Sequence, residues 1–264
     1  MKKIGFLGFG NMASAIAKGI LAADKKDITI SAYDPTPIMI DQLNRRVLKS
    51  DSALQLVDNN KYIFLSVKPQ MLLEALEPIV DHLTSEHVII SILAGVTVES
   101  IRKIVNDSCV VIRTMPNIPL LMSLGVTAIA KPDNISDSDY SFVKEVFGYV
   151  GSVYEIESNR FNEVIPINGS SPAFVYLFAK IITEQAVKYG FDYSLALEMI
   201  SKTLIGSAKM MIETDKTLDE LISMVSSKGG TTVAALEKMQ EDGFVTSLEN
   251  GFTACINRAY ELGK

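Results

Sequence analysis

The segment that most restricts the fold of this chain is KIGFLGFGNMASAIAKGIL, residues 3–21. A short apolar run is followed at once by the turn GFGNMA and then by a stretch with helical spacing. That order matches G-x-G-x-x-G/A. The glycines Gly8 and Gly10 permit a tight turn and let backbone amides approach a pyrophosphate at the positive end of the helix, while Ala13 allows close helix-to-strand packing. A dinucleotide is therefore expected against Leu7, Gly8, Phe9, Gly10, Asn11, Met12 and Ala13.

The pattern continues in kind. Apolar, β-branched runs at 3–7, 28–33, 62–67, 88–93, 109–114, 125–130 and 152–156 alternate with amphipathic segments at 12–22, 38–46, 98–105 and 136–147. Several runs are apolar on both faces, which suits strands covered on two sides by helices. The expected class is α/β: a Rossmann-type parallel sheet over residues 1–157, then an all-helical domain over 158–264. Helices are expected at 172–189, 194–213, 218–224, 232–240 and 246–262. The stretch PAFVYLFAKIITEQAV is apolar around most of its circumference, and so short a helical domain has a thin core, so burial against another subunit is expected. Five methionines at helical spacings, Met199, Met210, Met211, Met224 and Met239, read as packing residues.

Composition removes several classes. A net charge of −6 lacks the basic face that a phosphate backbone requires, so nucleic acid is not an expected partner. No apolar run reaches membrane-spanning length and no cleavable leader pattern opens the chain, so a cytoplasmic protein is expected. Cys109 and Cys255 are unspaced and read as reduced, buried thiols. No metal site is expected.

In an open parallel sheet, ligands bind beyond the carboxyl ends of the strands. That position belongs to Ser66, Val67, Lys68 and Pro69 after the third run, to Ala94 and Gly95 after the fourth, and to Pro116 and Asn117 after the fifth. Asn117, bracketed by Pro116 and Pro119, either orients a nicotinamide carboxamide, closes the pocket or simply makes a turn. Asp34 ends the second run near the place of the carboxylate that bonds the adenosine ribose. There it opposes the 2′-phosphate of NADPH, since like charges at 4 Å repel by about 4 kcal/mol at an effective dielectric near 20. The same residue can instead cap the turn DPTP. Asp34 leans towards NADH.

Far along the chain stands SSKGGTT, residues 226–232, directly before the helical run VAALEKM. Adjacent glycines, hydroxyl donors and a helix start make a concavity for an anion. Each charge-assisted hydrogen bond to a carboxylate contributes about 1.5–3 kcal/mol and the helix end about 0.3–1 kcal/mol. The plainer reading is a helix linker with Thr231 or Thr232 as N-cap.

Taken together, GFGNMASAIAKG, SVKP, AGVT, VIRTMPNIP, GSSPAF and GSAKMM followed by SSKGGTT resemble, in order, the motifs of the pyrroline-5-carboxylate reductase family. The resemblance spans most of the chain. It implies a Rossmann domain followed by a helical dimerisation domain, with interlocked dimers that build larger rings. It implies NADPH or NADH as cofactor, family habit leaning to NADPH, and 1-pyrroline-5-carboxylate as substrate. It also implies that Ser227, Gly229, Gly230, Thr231 and Thr232 grip the substrate carboxylate, with Ser170 of GSSPAF beside them. Three positions depart from the family pattern: Lys228 stands for proline, Asn168 for serine, and Asp34 is unusual among NADPH-preferring members.

The implied reaction reduces a ring C=N with hydride from the nicotinamide. A protonated imine is already electrophilic, so holding two rings at near-attack distance matters more than a strong acid. Thr232 is the expected contact to the ring nitrogen and relay of its proton; His82 and His87 are expected at the surface. Two other readings stand: a β-hydroxyacid dehydrogenase-like enzyme, with Lys180 as its acid-base group, and a non-catalytic dinucleotide-binding redox sensor.

Overall fold

A computed structural model describes residues 1–43 and 46–262. The chain forms two compact units, one of residues 1–172 together with 255–264, the other of residues 173–254.

The first unit is built on one eight-stranded sheet: β1 (Lys2–Leu7), β2 (Ile28–Tyr33), β3 (Leu48–Lys49), β4 (Tyr62–Leu65), β5 (Val88–Ser91), β6 (Val110–Met115), β7 (Gly125–Ile129) and β8 (Gly151–Glu155). The order is β3-β2-β1-β4-β5-β6-β7-β8. Parallel pairing runs from β3 to β6, and β7 lies antiparallel to β6. The sheet order reverses between β1 and β4, which is the switch point where this topology opens a crevice. Around the sheet lie α1 (Asn11–Ala22), α2 (Ile38–Asp41), α3 (Ala53–Asn59), α4 (Leu72–Leu76), α5 (Val98–Val105), α6 (Asp137–Gly148) and α7 (Phe161–Val164).

Both faces of the sheet are covered, as its doubly apolar strands require. Ile4, Phe6, Tyr62, Phe64, Val88, Ile90 and Ile112 share one buried layer with α1 and α6. Their neighbours Leu7, Ile63, Leu65, Ile89 and Val111 belong to the opposite layer, with α3, α4 and α5. The strict alternation is the two-residue strand period applied to central strands covered on both faces.

The expected strands recur with small differences. β4 and β5 stop at Leu65 and Ser91, two residues before the apolar runs end, because SVKP and ILAG have already left the sheet. Helix α2 ends at Asp41, shorter than the expected 38–46, of which 44 and 45 lie outside the described residues. β3, α3, α4 and α7 were not expected: each is too short to display a full hydrophobic period. β8 ends at Glu155 and helical turns begin at Ser158, whereas the compact units divide after Pro172.

The remaining helices are α8 (Ser171–Lys188), α9 (Tyr193–Glu213), α10 (Leu218–Met224), α11 (Thr231–Glu241) and α12 (Phe244–Leu262). Thr217 and Glu220 form a reciprocal capping box on α10. Within the second unit, Thr183 and Ala196 alone among the described residues are buried, while Phe178, Ile181, Ile205, Met210 and Met211 are exposed. Eighty-two residues with so little interior cannot offset their own ordering entropy. The unit needs a partner surface. No helix among the described residues is long and apolar enough to cross a membrane.

Candidate dinucleotide and carboxylate sites

The glycine turn is held from both sides. Gly8 N donates to the Tyr33 carbonyl of β2 at 2.9 Å, and Ser66 N donates to the Leu7 carbonyl at 2.9 Å. Gly8 has φ +86°, and a Cβ there would stand 2.9 Å from the Ser66 carbonyl and the Val67 nitrogen; only glycine fits. Gly10 is the N-cap of α1 without a side-chain cap, and a Cβ on it would meet open space. The first-turn amides of Asn11, Met12 and Ala13 have no intrahelical acceptor, as at any helix start. Ala13 is fully buried beneath them, and Phe9 is buried edge-to-face against Phe6.

Asp34 accepts hydrogen bonds from Phe9 N at 2.7 Å and Thr36 N at 2.8 Å. The side chain caps the DPTP turn, as one of its two sequence readings expects, and it is also bonded to the glycine turn. Beside it, a cleft of about 370 Å³ opens at the carboxyl ends of β1, β2 and β4, lined by Leu7, Gly8, Tyr33, Pro35, Leu54, Val67, Met71, Glu74 and neighbours. Its apolar walls suit an adenine ring. Ser66 Oγ is shielded and has no hydrogen-bond partner among the described residues. Lys68, Pro69 and Ala94 are exposed at the same edge. Gly95 is buried at φ +75°, where a Cβ would stand 2.8 Å from Leu262. The residues expected at the nucleotide turn and the strand ends therefore gather along one edge of the sheet.

Pro116 and Asn117 are buried. The Asn117 amide is engaged at both ends, donating to the Asn168 carbonyl at 3.2 Å and accepting from Val126 N at 2.8 Å. One N–H and one lone pair of the Asn117 amide are thus engaged within the fold. Asn168 lies in a π-type turn, Ile165–Gly169, and its amide donates to the Met115 carbonyl at 2.6 Å. Arg113, also buried, donates to Asn162 at 3.1 Å and lies over the Phe161 ring. Burial lowers its affinity for the proton, and the carboxylates of Glu99 and Glu163 oppose that effect. Sequence reading missed this anchor because Arg113 sits inside an apolar strand without a local partner. Ser170 lies 3.2 Å from Cys255, and both cysteines are free.

In the second unit, Gly229 has φ +76° and Gly230 is the N-cap of α11 with no side-chain cap. One part of the linker reading is thereby corrected: Gly230, not Thr231 or Thr232, is the N-cap. A Cβ on Gly230 would stand 2.6 Å from Ser227 Oγ, and Gly230 N donates to the Ser227 carbonyl at 2.9 Å. Ser227, Lys228, Gly229 and Thr231 are exposed, Thr232 half-buried. Ser226 Oγ, shielded from solvent, has no partner among the described residues. Among the remaining candidates, Lys180 is exposed and 3.8 Å from Glu184, and His82 bonds the exposed Asp58 at 2.8 Å. No cluster of metal-binding side chains exists among the described residues.

Residues 158–262 match the family described as pyrroline-5-carboxylate reductase dimerisation, and residues 3–95 the family of F420-dependent NADP oxidoreductases. The pyrroline-5-carboxylate reductase of Escherichia coli is 31% identical over all of this chain and 99% of its own length. That of Methanosarcina acetivorans is 32% identical over all of this chain and 98% of its own. The crystal structure of Plasmodium falciparum pyrroline carboxylate reductase with NADP bound superposes with a TM-score of 0.91 at 27% identity, covering all of this chain and 98% of that one.

Proposed function

The chain belongs to the pyrroline-5-carboxylate reductase family, and from that premise we propose that it reduces the ring C=N of 1-pyrroline-5-carboxylate to L-proline with NAD(P)H. The uncapped Gly230 start of α11 is the observation that carries this reading. Its first-turn amides and the exposed Ser227 and Thr231 hydroxyls can receive a carboxylate, as an anion-binding helix start requires. Residues 1–157 hold the dinucleotide, with pyrophosphate on the first turn of α1, adenosine in the cleft beside Tyr33 and Met71, and Ser66 to Pro69, Ala94, Gly95 and Pro116 along the strand ends. Residues 158–264 hold the substrate and join two subunits, and the dimers build larger rings.

A bound reduced nicotinamide supplies the hydride. The chain's own part is geometric. The turn at 226–232 fixes the carboxylate and so the ring, Asn117 holds the β6 loop shut against Asn168, and Thr232 presents its hydroxyl to the ring nitrogen and relays a proton there. Fixing two reactants in near-attack geometry contributes up to about 7–11 kcal/mol of barrier lowering. Lys228 adds a cation beside the carboxylate, strengthening attraction in a looser turn. Work in the cytoplasm is consistent with this activity.

The test is a comparison of substrates: dinucleotide oxidation with racemic pyrroline-5-carboxylate against dinucleotide reduction with 2- and 3-hydroxyacids. Turnover of the imine alone supports the reductase. Turnover of a hydroxyacid instead supports the dehydrogenase reading, and binding without turnover supports the sensor.

A further inference from the structure

One amide oxygen at the end of β6 is buried and unused. Asn168 is 4% exposed, and its Oδ1 is shielded without a hydrogen-bond partner among the described residues. The nitrogen of the same amide is committed, since Nδ2 donates to the Met115 carbonyl at 2.6 Å. A carbonyl only accepts, so this bond also decides which branch of the amide is oxygen. The residue is held in place by its surroundings. It belongs to the π-type turn Ile165–Gly169, a turn type frequent at functional sites. Its own carbonyl accepts from Asn117 Nδ2 at 3.2 Å, and a Cβ on Gly169 would stand 3.0 Å from Met115 Cε. Buried amide oxygens are nearly always hydrogen-bonded, so an N–H is expected to reach this one.

The sheet order says where that N–H comes from. Met115 is the last residue of β6; β5, beside it, leads into Ala94 and Gly95, and β4, one strand further, leads into Ser66. The apolar cleft that suits adenine lies at the ends of β1, β2 and β4. The other half of a dinucleotide laid across the crevice therefore reaches the ends of β5 and β6. Two strand spacings, about 10 Å, separate β4 from β6, and the end of each carries one shielded polar atom without a partner among the described residues: Ser66 Oγ and Asn168 Oδ1. A nicotinamide brings to that place a planar carboxamide with two N–H donors, the complement of a fixed amide oxygen.

We infer that Asn168 Oδ1 accepts a hydrogen bond from the carboxamide of the bound nicotinamide and so fixes the rotation of that ring, which makes Asn168 a cofactor-positioning residue. The inference rests on the dinucleotide site of the proposed function. It adds to that site a residue from outside 1–157, one that the sequence marked only as a departure from serine.

The experiment is calorimetric titration of the full-length protein, without imine, with NAD and NADP and with the 3-acetylpyridine analogue of each, in which a methyl group replaces the carboxamide NH2. Wild type is expected to bind the carboxamide form at least about tenfold more tightly than its analogue. Asn168→Leu, close in size and without an acceptor, is expected to bring the two forms within about threefold of each other. Losing the Met115 bond in that variant weakens both forms alike, so the ratio reports the contact and not the fold. Asn168→Ala, also without an acceptor, is read in the same way if the leucine variant does not fold. Equal binding of the two forms by wild type overturns the inference, as does a tenfold ratio kept in either variant, which would give the carboxamide to another acceptor. Binding of no dinucleotide overturns it together with the site beneath it, whereas the expected ratios without imine reduction would sink only the proposed reaction.

Discussion

Asn117 and Asn168, fifty-one positions apart, lock the end of β6 to the first helical turns: Asn117 Nδ2 donates to the Asn168 carbonyl at 3.2 Å, and Asn168 Nδ2 donates to the Met115 carbonyl at 2.6 Å. With Val126 N donating to Asn117 Oδ1, a loop, a strand and a π-type turn share one buried knot. Cutting it in Asn117→Ala strands the Val126 amide and the Asn168 carbonyl, and each unsatisfied group costs about 1–3 kcal/mol. Urea unfolding is expected to show a loss of about 2–4 kcal/mol. A change below 0.5 kcal/mol would contradict the knot.

Gly8→Ala puts a methyl group within 2.9 Å of the Ser66 backbone at φ +86°. Left-handed strain and the clash together are expected to cost about 1–3 kcal/mol. Because the turn must move, dinucleotide affinity should fall at least about tenfold in a fluorescence titration. Affinity equal to wild type would show that the turn does not approach the cofactor.

Thr232→Ala removes the hydroxyl assigned to the ring nitrogen without touching the cap of α11, which is Gly230. General acid–base steps contribute roughly 10²–10⁴-fold. The turnover number is expected to fall about 10²-fold or more while dinucleotide affinity stays constant. Steady-state kinetics with unchanged turnover and KM would remove Thr232 from the mechanism.

How far the sequence could be read follows from where the information is local. The glycine turn, the doubly apolar strands and Val98–Val105 of α5 were legible because neighbouring residues determine them. The Asp34 carboxylate was legible as a position but not as a two-ended staple, since its Phe9 partner is twenty-five residues away. Asn117 read as a ligand group, a pocket wall or a turn residue, and its bonds to Asn168 and Val126 depend on tertiary packing that no local pattern announces. Arg113 and Leu262, which touch Asn162 and Gly95, were invisible for the same reason. The turn at 226–232 was read correctly as a helix start, but which residue caps α11 was decided by one backbone step.

The exposed apolar helices of the second unit predict a stability that depends on association. The melting temperature should rise with protein concentration, and Ile181→Asp or Ile205→Asp, both at exposed positions, should shift the mass in light scattering from dimer or larger towards monomer. A concentration-independent melt with unchanged mass in both variants would contradict burial of these faces.

Burial pushes the Cys109 thiol up from 9.0 to about 11. An acid whose folded value is raised releases its proton more easily when unfolded, so its stabilising contribution is complete below pH 9 and is lost as pH rises towards 11. Unfolding free energy should decline over that window, and Cys109→Ala should decline less steeply. Parallel declines in the two proteins would contradict the buried-thiol reading.

The central claim is that the chain passes hydride from a reduced dinucleotide to a cyclic imino acid whose carboxylate it recognises. The most direct measurement follows deuterium from reduced dinucleotide labelled at the transferring position into product, with pyrroline-5-carboxylate and with 1-pyrroline, which lacks the carboxylate. One deuteron at the former imine carbon of proline, with turnover of 1-pyrroline at least about 10²-fold lower, is the predicted result. Unlabelled proline, or equal turnover of the two imines, would contradict it.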